Sequence, residues 1–99
     1  MSPLSEPEIS ARLDSLPDWK IESGELTRTF NFKDFVGSLA FVNKVGDLAE
    51  KAGHHPDIDI RYNRVRLALV THDAGGLTAK DFEMAAAVDR PMERPGSAI

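Results

Sequence analysis

Cysteine is absent from this 99-residue chain. A disulfide framework, a thiolate nucleophile and a thiolate-bound metal are therefore excluded. No apolar run approaches the ~20 residues a membrane helix needs. The start, Met1-Ser2-Pro3-Leu4-Ser5-Glu6, lacks the charged and apolar regions of a signal peptide, so a soluble, cytoplasmic protein is expected. Positive charge is not in excess either. The net charge is −4, and Arg61, Arg64 and Arg66 follow closely on Asp57 and Asp59. No basic stripe results, which argues against partners such as nucleic acid or a membrane surface.

What is present reads as one folded domain, residues 1–99, because 41% hydrophobic and 28% charged residues is a globular balance. Ser5 and Glu8 have capping-box spacing ahead of a short helix over 6–15, stopped by Pro17. Residues 19–22 and 26–32 form two strands around Ser23-Gly24-Glu25. Residues 34–52 carry the strongest helical period, through Phe35, Leu39, Val42, Val45 and Ala49, with Gly53 as the stop. Val36, Phe41 and Leu48 widen that stripe, which suggests burial on two sides, one of them against a partner subunit. Residues 58–62 and 65–71 form a second hairpin around Asn63-Arg64, pairing Ile58 with Leu69, Ile60 with Leu67, and Arg61 with Arg66. Thr78 with Asp81 caps a last helix to about residue 89, ended by Pro91, and the tail over about 91–99 is expected to be disordered. The order α-β-β-α-β-β-α argues for an α+β two-layer sandwich.

The only three histidines, His54, His55 and His72, flank the second hairpin. The pairing just described sets His55 opposite His72, although Pro56 lacks an N–H and interrupts the ladder there. Strict alternation turns both away from the apolar core, open to a ligand. Such a cluster suits zinc with an open position, or metal-free acid–base chemistry, or simply turn and cap duty at strand ends. The helical H-E-x-x-H arrangement is missing. Glu50, one helical turn before His54, is placed to orient an imidazole or to stand exposed. Trp19 suits stacking on a flat heterocycle or a place in the core. Asp73 is a loop acid or a turn residue, and Gly75-Gly76 matches no phosphate loop.

Three segments then become specific: Glu50-x-x-x-His54-His55-Pro56, Tyr62-Asn63-x-Val65, and Thr71-His72-x-x-x-Gly76-Leu77-Thr78-x-x-Asp81. With Asp18-Trp19, Phe30-x-Phe32-x-Asp34-Phe35 and Phe41-Val42 upstream, residues 5–90 resemble the pterin-4a-carbinolamine dehydratase family. The resemblance implies a four-stranded antiparallel sheet with helices on one face, in a homodimer or homotetramer. It implies dehydration of 4a-hydroxytetrahydrobiopterin to quinonoid dihydropterin without metal or organic cofactor. That reaction recycles tetrahydrobiopterin for an aromatic amino-acid hydroxylase. By resemblance His54, His55 and His72 are the catalytic set, while Glu50, Thr71, Asp73 and Trp19 contact the pterin. Gly53 stands where some members carry an acidic residue, leaving only its backbone for a ligand, and Ile58 stands where many carry an aromatic one. Some members also serve as dimerisation cofactors of a homeodomain transcription factor, so a non-catalytic interaction module is the alternative.

Overall fold

The computed structural model describes residues 2–92 of the chain. Helix α1 (Glu6–Leu13) opens with the expected capping box: the Ser5 N–H donates to Glu8 Oε1 at 2.9 Å, and the Glu8 N–H to Ser5 Oγ at 3.4 Å. Strands β1 (Lys20–Glu22) and β2 (Glu25–Asn31) meet at Ser23-Gly24, both at positive φ (51° and 78°), which matches the twist of a two-residue hairpin. Helix α2 (Phe35–Ala52) starts where Asp34 accepts the Gly37 N–H, and it stops at left-handed Gly53. Strands β3 (Asp57–Arg61) and β4 (Arg64–Leu69) follow, then helix α3 (Ala79–Met92). The element order is the α-β-β-α-β-β-α expected from sequence.

The sheet runs β1-β2-β4-β3, all antiparallel, so β3 is an edge. Its inner face carries Leu26 and Phe30 from β2 and Val65, Leu67 and Leu69 from β4. Against these pack Phe41, Val45 and Ala49 of α2, and Phe82, Ala85 and Val88 of α3. Arg28 reaches Asp89 at 2.7 Å from the same sheet face, and the Trp19 indole N–H donates to the other Asp89 oxygen at 2.8 Å. Together they tie α3 to the sheet at the end remote from the loop before it.

Two expectations need correction. The second hairpin turns at Tyr62-Asn63, so Ile58 pairs with Leu67, Ile60 with Val65 and Arg61 with Arg64. Tertiary contacts pin that turn: Ser38 Oγ donates to the Tyr62 carbonyl at 2.7 Å, and Asn63 exchanges bonds with the Phe32 backbone at 2.7 and 3.1 Å. The pairing shifts by two residues, so every side chain keeps its face. It does remove the direct opposition of His55 and His72. Second, α3 runs one residue past Pro91, which lacks only its own N–H and already has a helical φ. The rest of the expected tail, 93–99, lies outside the described residues. Within this chain α2 is buried on one side, and the side expected to meet a partner subunit is open. Phe35, Val36 and Leu39 are 45%, 73% and 42% exposed. Among the described residues no helix is long and apolar enough to cross a membrane.

Candidate active site

The end of α2 delivers the histidine pair. Gly53, at φ 62°, turns the chain out of the helix, and the Gly53 and His54 N–H groups both donate to the Ala49 carbonyl. Only a residue comfortable in the left-handed region makes this turn without strain. Beyond it the two rings diverge. His54 points to the start of α3 and His55 back along α2.

His54 Nε2 lies 2.6 Å from Asp81 Oδ1. Asp81 is fully buried, and the His54 side chain is only 11% exposed. A carboxylate cannot be buried cheaply unless its lone pairs are filled. Here Oδ2 accepts the Thr78 N–H and the Thr71 hydroxyl, each at 2.9 Å. Thr71 has one hydroxyl hydrogen and gives it to Asp81, so Thr78 is the donor in the 2.7 Å contact between the two threonines. The Lys80 N–H closes the chain on Thr78 Oγ1 at 3.3 Å. Thr78 and Asp81 thus form a reciprocal cap on α3, and the positive end of that helix favours the buried carboxylate. His54 turns Nε2 to this anchored acceptor, which leaves Nδ1 as the ring atom for any other partner.

His55 Nε2 meets Glu50 Oε2, also at 2.6 Å, but on the rim, where the side chains are 62% and 79% exposed. His72 enters from the other side on a single 3₁₀ turn, His72–Ala74, with its side chain in the open. The Thr71 carbonyl accepts from Ala74 and Gly75, and Thr71 bridges Gly76 across the loop. A strap from the start of the chain braces this loop. The Leu4 N–H donates to the Leu77 carbonyl at 2.7 Å, and Pro3 packs on Gly76 so closely that a Cβ there would lie 3.0 Å from the proline ring.

These elements enclose an open cleft of about 270 Å³ that Gly53, His54, His55, Thr71, His72 and Asp73 all line, with Val70 and Lys80 completing its wall. Glu50 joins through its bond to His55. Trp19 does not join. It is 3% exposed, stacked edge-on against Phe30 and bonded to Asp89, so its ring serves the core and the expected cleft contact is absent from this chain. Sequence reasoning missed Asp81 and Lys80 as site residues. The signals for Asp81 are its spacing from Thr78 and its place at the end of the third family-like segment, and capping explains that spacing without a second role. Among the described residues no group of three or more histidines or carboxylates is arranged to hold a metal ion.

Comparison with known proteins gives this arrangement its context. Residues 2–91 match the sequence model of the family described as pterin 4 alpha carbinolamine dehydratase. A protein of Acidobacterium capsulatum, provisionally named a pterin-4-alpha-carbinolamine dehydratase, is 62% identical over 90% of this chain and 97% of its own length. A protein of Chloroflexus aurantiacus with the same provisional name is 62% identical over 93% of this chain and 99% of its own length. The crystal structure of a transcriptional coactivator/pterin dehydratase from Brucella melitensis superposes with a TM-score of 0.85 at 36% identity, over 89% of this chain and 96% of that one. A pterin dehydratase-like protein described as a RuBisCO assembly factor in the alpha-carboxysome is more distant, with a TM-score of 0.58 at 25% identity over 72% of this chain and 82% of its own. The chain belongs to the pterin-4a-carbinolamine dehydratase family.

Proposed function

We propose that this chain removes water from 4a-hydroxytetrahydropterins by histidine acid–base catalysis. The observation that carries the reading is the approach of three imidazoles to one cleft, with one of them anchored on a buried carboxylate. In the reaction the C4a–O bond breaks and the hydroxyl leaves as water after receiving a proton. A ring nitrogen loses its proton, and its electrons form the new C=N bond. Both transfers need groups that trade protons near neutral pH, which is the range of imidazole. His54 and His72 are the principal pair in this reading. His55, steadied by Glu50, is the third member. The Gly53 backbone, Thr71 and Asp73 contact the pterin. The wider role is recycling of tetrahydrobiopterin in the cytoplasm, beside a pterin-dependent aromatic amino-acid hydroxylase. A homodimer or homotetramer would cover Phe35, Val36 and Leu39 of α2, which stand exposed in the single chain.

The same exposed face favours one other reading, an interaction module that does no chemistry. The assembly-factor description of the more distant relative fits it. The deciding experiment is stopped-flow decay of the 4a-carbinolamine, generated in situ by a hydroxylase. Wild type is run beside the double variant His54→Ala plus His72→Ala. Acceleration by wild type alone supports the dehydratase. No acceleration by folded wild type leaves the interaction module.

A further inference from the structure

A second hollow of about 290 Å³ lies between the last turns of α2 and the first turns of α3. Its floor is apolar, made by Leu48, Ala52 and Met84, with Ala87 at the far end. Its rim is charged, made by Lys51, Lys80 and Glu83. Two side chains, His54 and Lys80, line both this trench and the histidine cleft, so the two hollows share a border. Neither lysine has an ion-pair partner among the described residues, nor has Glu83. The rim therefore offers two free ammonium groups against one carboxylate.

The proposed reaction does not use this trench, yet its substrate needs somewhere to put a substituent. Pterins carry their side chain on C6, which is joined to the reacting C4a through a single nitrogen. A ring that sets C4a beside His54 brings C6, two bonds away, close to the border that His54 and Lys80 form. The border formed by His54 and Lys80 opens onto an apolar floor that Lys51, Lys80 and Glu83 rim. We infer that the trench between α2 and α3 receives the C6 side chain of the pterin and selects a side chain with an apolar linker ending in carboxylates. This inference rests on the dehydratase reading and names its substrate class. The apolar floor rewards the linker by burial, and the unpaired lysines meet the terminal anion.

Isothermal titration calorimetry with two oxidised pterins, which bind without turnover, tests it on the full chain. One is 6-hydroxymethylpterin, whose substituent is short and neutral. The other is folic acid, whose aryl linker ends in a glutamate. Wild type should bind folic acid at least about tenfold more tightly, a difference of ~1.4 kcal/mol. Ala87→Trp, which fills the trench, and Lys51→Glu, which reverses a rim charge at an exposed position, should each bring the ratio of the two constants close to one. Equal binding by wild type, or a ratio that neither variant moves, overturns the trench assignment and leaves the dehydratase reading intact. Failure of both pterins to bind folded wild type overturns the two together.

Discussion

Two histidine–carboxylate pairs stand at one cleft, each 2.6 Å long, and only their surroundings differ. His54 and Asp81 are walled in, with Asp81 held by His54 on one oxygen and by Thr71 and the cap of α3 on the other. His55 and Glu50 sit in water. Distance alone would rank the pairs as equals. Burial separates them, because an exposed pair is screened and surrenders side-chain freedom, whereas a buried one cannot lose a partner without stranding the other. The inner pair is part of the architecture, and the outer pair is adjustable trim.

The contrast can be broken most sharply by kinetics. If the anchored imidazole is the principal one, His54→Ala should lower kcat/KM by ~10²–10⁴ and His55→Ala by clearly less. Equal losses in the carbinolamine assay would erase the distinction. Next in size, Asp81→Ala removes the acceptor of His54, Thr71 and Thr78 at once and should cost ~3–5 kcal/mol in urea unfolding. A cost below ~1 kcal/mol would mean that the buried network contributes no more than a surface pair. By contrast, Glu50→Gln should change unfolding free energy by less than ~1 kcal/mol, with the difference shrinking further in high salt.

The smallest effect lies away from the cleft and sharpens the point that exposed carboxylates count for little. The Thr27 hydroxyl above all, then Arg66 and Lys20, hold Glu22 below the ordinary glutamate range. A depressed carboxyl adds stability above its unfolded value, ~4.3, and loses it as pH falls through the lower folded value. Melting temperatures recorded from neutral pH down to about 3 should therefore fall slightly more steeply for wild type than for Glu22→Gln. Parallel curves would show that these contacts are not kept in solution.

The elements were legible wherever their causes are local. Ser5 with Glu8, Gly53, and Thr78 with Asp81 act within one helical turn, and all take up the cap positions their spacing suggests. The register of the second hairpin was not legible, because Ser38 and Phe32, both distant in sequence, choose the turn residues. Trp19 was ambiguous for the same reason: its partner Asp89 is seventy positions away. The approach of the histidines survived the register error. It depends on which ends of the strands they occupy and not on exact opposition. Asp81 shows a subtler limit. One carboxylate oxygen caps a helix and the other holds an imidazole, and a pattern that accounts for the first conceals the second.

The strap over the His72 loop makes the first few residues part of the machine. Leu4 and Pro3 rest on Leu77 and Gly76, so whatever pulls on the front of the chain also tugs at a candidate catalytic imidazole. An affinity tag fused ahead of Pro3 is thus a mechanical perturbation of the cleft. The same coupling gives evolution a remote dial, since lengthening or stiffening the opening residues could retune His72 without touching the cleft itself.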